Sequence, residues 1–205
     1  MFIRSPTGSE IIKNSRGQQA RGLGEHFADT HFTAIYTSDL KRAFDTAKVL
    51  YDHQKDPKPP FDSSELLREL NVGRAAGHPM SLQLIPGLTW EQHAARGIYL
   101  AQYSDDDRFP EGESIKNLAV RARMALEKLV LPHVWQAAKE GKTGIHVAIV
   151  SHGLCISELI SELLNWDGKK GRNTGSEYSD LPNVRWTRVA IDIEVCNQKT
   201  RWFVS

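Results

Sequence analysis

The sequence predicts an α/β protein, a three-layer sandwich with a mostly parallel central sheet. Strand-like and helix-like segments alternate along the chain, which favours layered α/β architecture. The segment His146–Val150 carries four consecutive apolar residues between Gly144 and Ser151-His152-Gly153, the pattern of a parallel strand covered on both faces. The 205 residues are 40% apolar and 25% charged, and a globular chain of this size buries about 70% of its extended surface without staples. Residues 1–205 read as a single domain, with 71–112 as a cap or lid excursion within it.

Taken in order, Gly17 to Asp29 reads as a helix, with Ala20, Leu23, Phe27 and Ala28 at helical spacing. Thr33 to Thr37 is a brief buried strand, rich in β-branched and aromatic residues. Ser38 or Asp39 is placed to cap the next helix, whose Leu40, Ala43, Ala47 and Leu50 form one stripe before the turn-rich Lys55 to Pro60. Glu65 to Leu70 reads equally as a strand or a helical turn. From Asn71 to about Gly112 the pattern weakens, with one helix expected near Thr89 to Tyr103. Ser114 opens a long amphipathic helix that Pro132 is expected to bend or end. After the strand ending at Val150 comes a helix with Ile156, Leu159, Ile160, Leu163 and Leu164 inward. A polar loop from Asp167 to Pro182 leads to an alternating strand, Arg185 to Ile193, with Thr200 to Val204 pairing as a hairpin.

Composition removes several classes of function. Lys and Arg number 26 against 25 Asp and Glu, so no bulk charge draws the chain to nucleic acid or an anionic membrane. No apolar run approaches the roughly 20 residues of a membrane span, and the start turns polar after Met1-Phe2-Ile3, unlike a signal peptide. Cys155 and Cys196 form neither a disulfide framework nor metal-ligand spacing, and read as two reduced, buried thiols of a cytoplasmic protein. Neither a metal nor a cofactor is expected. Trp135, Trp166, Trp186 and Trp202 read as buried aromatics or as contact surface for a partner.

In an α/β sheet, ligands gather beyond the carboxyl ends of the parallel strands. That rule singles out two strand-to-helix turns, Thr37 to Arg42 and Ser151 to Gly153. His152 sits at the exit of the buried strand and before a helix, where amide dipoles favour an anion; it serves either as a structural histidine or as an anion ligand. The dipoles oppose an imidazolium there, whereas a bound phosphate favours one. Arg42 lies one turn into its helix and reaches back across the strand end, to grip two phosphate oxygens or to pair with a surface carboxylate. Leu67-Arg68-Glu69 offers a carboxylate, and Pro110-Glu111-Gly112-Glu113-Ser114 offers a turn with a helix cap.

The ordered set is more specific than its members. Gly17-Gln18-Gln19-Ala20, then Ser38 to Ala47, Leu67-Arg68-Glu69 with Gly73 and Gly77, Pro110 to Ser114, and Val150-Ser151-His152-Gly153 together resemble the histidine phosphatase superfamily. The likeness is to its phosphoglycerate-mutase-like branch with a minimal cap, and it covers roughly Gly17 to Ile193. The resemblance implies a metal-free phosphoryl-transfer pocket in which cationic side chains stabilise the transferred group. In that family a histidine of an N-terminal Arg-His-Gly motif attacks phosphorus. By motif, Arg42 becomes a phosphate clamp, His152 the second pocket histidine and Glu69 the general acid. The implied ligand is a small phosphorylated molecule or inorganic phosphate.

One motif departs from the family. Met1-Phe2-Ile3-Arg4 resembles the first strand and its arginine, so Arg4 is carried over as a phosphate ligand. Ser5-Pro6-Thr7 follows where His-Gly is expected, and the first histidine is His26. Losing a covalent nucleophile costs on the order of a million-fold in turnover. Ser5 has no evident base beside it, and Pro6 restricts its backbone. The expectation is therefore a phosphatase relative of weak or lost activity, either a shortened gene product or a pseudoenzyme, with a non-catalytic phospholigand-binding pseudophosphatase as the alternative. A shortened first strand also leaves neighbouring backbone groups short of partners, and a homodimer formed by strand exchange is one repair.

Overall fold

The computed structural model describes residues 2–4, 13–81, 84–100, 104–166, 186–196 and 199–204. Strand β1 (Phe2–Arg4) is followed by helix α1 (Lys13–His26), strand β2 (Ala34–Ser38), helix α2 (Lys41–Asp52) and strand β3 (Phe61–Ser64). Then come β4 (Met80–Ser81), α3 (Trp90–Ala95), β5 (Tyr99–Leu100), α4 (Ile115–Ala125) and α5 (Leu131–Glu140). The chain closes with β6 (Val147–Ser151), α6 (Gly153–Leu164), β7 (Trp186–Thr187), β8 (Ile191–Cys196) and β9 (Lys199–Val204). These elements divide into two compact units, Met1–Glu69 with Ala122–Ser205, and Leu70–Arg121.

The first unit is organised by a five-stranded sheet in the order β3-β2-β6-β1-β7. The first four strands run parallel and β7 runs antiparallel beside β1. Alternation along the strands sorts the layers. Ile35, Ala148 and Val150 face one side, packed with Leu23 of α1, Phe27 just beyond it, and Ala43, Ala47 and Leu50 of α2. Tyr36 points the other way, and its hydroxyl meets Nε2 of His133 in α5 at 2.8 Å. Helices thus cover both faces, as a buried parallel sheet requires.

Several local expectations are corrected. Neither Ser38 nor Asp39 caps α2; Leu40 holds the N-cap position without a side-chain cap, because Ser38 and Asp39 are engaged elsewhere. A strand, Phe61–Ser64, lies where the sequence showed no alternation: it is a short, half-solvated edge strand whose sequence, Phe-Asp-Ser-Ser, has no apolar period. Glu65–Leu67 is a single 3-10 turn, with Ser64 Oγ accepting from the Leu66 amide. Pro132 does not end its helix. The turn Leu126–Val130 widens to π geometry and Pro132 enters the first turn of α5, where its missing N–H is harmless. Trp135 and Trp186 are 45% and 42% exposed, so neither is a core aromatic. The alternating strand predicted for 185–193 is broken into β7 and β8, while β8 and β9 form the hairpin. Cys155 is buried and reduced. Ser5-Pro6-Thr7 and the Asp167–Pro182 loop lie outside the described residues, as do the side chains of Arg4, Cys196 and Trp202.

The second unit has its own small core of Ala75, Tyr99 and Phe109, against which Val72, Trp90 and Ala94 pack. Its helix is shorter than expected: Thr89 and Gln92 make a capping box, and the chain leaves the helix at Ala95 and turns through Gly97 at φ +72°. Ser114 caps α4 through the Asn117 amide at 3.2 Å. Two passes of chain lock together here. Gly73, at φ +51°, lies so near the Pro110 carbonyl that a Cβ would sit 2.2 Å from its oxygen. The Glu113 carboxylate accepts from Arg121 Nε and Nη2, both at 2.9 Å, and from the Asn71 amide at 3.0 Å.

Candidate active site

Strands β2 and β6 are neighbours, with Thr37 opposite Val150, so their carboxyl ends and the helices that follow stand side by side. β1 continues the row on the far side of β6, with Arg4 opposite Ser151. Each turn brings a different group to this edge. Arg42 is in the first turn of α2 and bends back toward the strand ends. His152 occupies the N-cap position of α6 in extended conformation and is 1% exposed.

The side chains of Arg42 and His152 lie side by side. Nε of Arg42 lies 3.0 Å from Nδ1 of His152. The alternative reading of Arg42, a surface ion pair with a carboxylate, is replaced by this contact. Among the described residues the two terminal nitrogens of Arg42 make no hydrogen bond or ion pair. The other ring nitrogen of His152 lies 2.9 Å from Ser38 Oγ, which also accepts from the Leu40 amide at 3.2 Å. Glu69 arrives from the turn after β3, and its Oε1 accepts from the Cys155 amide in the first turn of α6 at 3.3 Å. The carboxylate therefore sits on the helix that His152 begins. Ser151 Oγ donates to the Leu67 carbonyl at 2.7 Å, fastening the end of β6 to the same turn.

Sequence reasoning missed Ser38 and the Asp39–Arg68 pair. Ser38 was read as a helix cap, yet it is fully buried and aimed at His152. Arg68 Nε donates to both oxygens of Asp39, at 2.8 and 3.1 Å, and Nη2 donates to Glu65 at 2.8 Å. This guanidinium holds the Asp39 carboxyl below its ordinary range and so keeps the β2–α2 turn charged. The only sequence signal was that Asp39 and Arg68 each sit inside a motif already singled out.

Residues 14–199 match the family described as histidine phosphatase superfamily (branch 1). The chain belongs to the histidine phosphatase superfamily. Among its relatives, the probable phosphoglycerate mutase GpmB of Enterobacter sp. (strain 638) is 31% identical over 153 residues, 72% of this chain and 60% of that protein. The chain thus spans about three fifths of that relative. A protein of the same name from Salmonella arizonae is 32% identical over 175 residues, 82% of this chain and 73% of that protein. A mycobacterial glucosyl-3-phosphoglycerate phosphatase, solved in complex with inorganic phosphate, shares the fold at a TM-score of 0.62 with 22% identity, covering 100% of this chain and 93% of that one. Among the described residues no helix is long and apolar enough to cross a membrane.

Proposed function

We propose that this member of the superfamily holds inorganic phosphate, or the phosphoryl group of a small phosphorylated molecule, at the carboxyl ends of β2 and β6, with weak turnover or none. The observation that carries the proposal is the 3.0 Å approach of Arg42 Nε to His152 Nδ1, two residues 110 positions apart in sequence. A guanidinium beside an imidazole at a helix N-terminus is a cationic nest matched to a tetrahedral dianion. Arg4, on the strand beyond β6, supplies a second guanidinium. Glu69 is the candidate proton donor to the leaving oxygen, and the excursion 71–112 is the cap that selects substrate.

Two features argue for weak chemistry. The residue after Arg4 is Ser5, where the family motif has its nucleophile. His152 is not a ready substitute, because Arg42 and Ser38 engage both of its ring nitrogens. The alternative reading is a pseudophosphatase acting through partners, and the exposed Trp135 and Trp186 favour it as contact surface. A homodimer formed by strand exchange is part of the proposal. A strict monomer in sedimentation removes that part.

The test is paired. Phosphate release from an aryl phosphate is measured for the protein and for His152→Ala, alongside thermal stabilisation by phosphate or vanadate. The proposal expects stabilisation that Arg42→Ala abolishes, with negligible release. Substantial turnover that His152→Ala abolishes overturns the weak-activity part. No response to either anion overturns the binding part.

A further inference from the structure

We infer that filling this site with a tetrahedral dianion takes up a proton at His152, so that anion affinity falls as pH rises. The inference rests on the phosphate-binding reading above and adds to it the protonation of the ring that the Arg42 and Ser38 contacts require. Arginine offers only donors, so Arg42 Nε can approach His152 Nδ1 to 3.0 Å only if that nitrogen presents its lone pair. The ring proton then belongs on Nε2, where it is donated to Ser38 Oγ at 2.9 Å. Ser38 is itself fixed by the Leu40 amide, which donates to the same oxygen. The imidazole held between Arg42 and Ser38 is therefore neutral, and a proton on Nδ1 would point straight at the Arg42 N–H.

A dianion reverses that arrangement. The terminal oxygens of sulfate or of a phosphomonoester dianion accept and never donate, so such a group at the strand ends requires donors from both Arg42 and Nδ1. Arg42 turns its N–H groups from the ring to the anion, and Nδ1, relieved of that donor, takes a proton from solvent. The ring becomes a second cation while Nε2–H keeps its bond to Ser38. No bond to phosphorus forms or breaks; one proton moves from buffer to imidazole.

The charged groups placed around His152 act in both directions. Arg42 of α2 and the amide dipoles of α6 oppose the imidazolium. Asp39, in the β2–α2 turn, lies within electrostatic range and favours it, although Arg68 partly neutralises this carboxylate. Glu69 favours it from the turn after β3, through its place on the Cys155 amide. On β1 the backbone of Arg4 is registered opposite Ser151, the residue before His152.

Sulfate is the probe, because it stays a dianion throughout the range in which histidine titrates. Calorimetric titrations are run near about pH 7.5 in buffers of different ionisation heat, on the intact protein and on His152→Gln. The expected result is a binding heat that varies with buffer heat, with a slope approaching one proton taken up per sulfate. The dissociation constant should rise by up to about tenfold per pH unit. In His152→Gln, sulfate should bind more weakly, with neither buffer nor pH dependence. Imidazole nitrogen chemical shifts of the unaltered protein give the same answer without a variant: a neutral Nε2–H ring when empty and an imidazolium when sulfate is bound. Sulfate binding without proton uptake, an imidazolium in the empty site, or uptake that persists in His152→Gln each overturns the inference while leaving the phosphate site standing. Absence of any heat or shift overturns both.

Discussion

Replacing Ser38 with alanine tests whether this buried hydroxyl builds the site. Its oxygen accepts from the Leu40 amide at 3.2 Å and meets His152 Nε2 at 2.9 Å. His152 is 1% exposed, so in Ser38→Ala its N–H loses this acceptor where solvent barely reaches. A buried donor left without a partner costs about 1–3 kcal/mol. The half-buried Leu40 amide recovers part of its loss from solvent, so the total comes to about 2–3 kcal/mol. In a chain of this length that lowers Tm by roughly 4–12 °C. Ser64→Ala is the matched control: among the described residues Ser64 Oγ accepts from the Leu66 amide alone, at a half-solvated turn, and its loss should cost about 1 kcal/mol or less. Urea unfolding of both variants, with the His152 ring followed by NMR, decides the matter. A Ser38→Ala loss no larger than that of Ser64→Ala, with the His152 resonances unmoved, would refute the reasoning.

Three further outcomes are expected. Gly73→Ala should destabilise the protein by more than about 2 kcal/mol in urea unfolding, since a side chain at φ +51° is strained and its Cβ would meet the Pro110 oxygen at 2.2 Å. Burial pushes the Glu113 carboxyl up, but Arg121 and the Asn71 amide outweigh it and leave the group below its ordinary value of 4.5. A carboxyl depressed in the folded state contributes stability above its unfolded pKa and loses it as pH falls through the folded value. Glu113→Gln should accordingly cost about 1–3 kcal/mol at neutral pH, with the difference from the unaltered protein shrinking in acid. Leu50→Ala, at a fully buried position among α1, α2 and the sheet, should cost about 2–5 kcal/mol in the same assay.

The elements most legible in the sequence are those whose apolar pattern is long or flanked by turns. β6 announced itself through Val147 to Val150, and α6 through Ile156, Leu159, Ile160 and Leu163, four residues that the fold buries. β3 did not, because an edge strand half in water needs no apolar period and Asp62-Ser63-Ser64 shows none. The continuation of the helix past Pro132 was hidden for another reason. Sequence reveals the missing N–H but not the π turn that removes the need for it. Arg42 and His152 were legible as a pair because both lie at strand-to-helix turns, where parallel sheets gather ligands. What joins them was not legible: Ser38 reads as a cap from sequence, and only the close side-by-side packing of β2 and β6 turns its hydroxyl to the histidine. The Arg68–Asp39 pair was equally hidden, because it links residues 29 positions apart that no local pattern connects.

A crystal structure of the protein grown with vanadate tests the phosphate site most directly. The tetrahedral or trigonal oxyanion should lie between Arg42 and His152, with oxygens about 3 Å from the guanidinium and from Nδ1, and with the Arg42 Nε to Nδ1 contact broken. Vanadate bound elsewhere, or a site still closed by that contact at saturating anion, would contradict it.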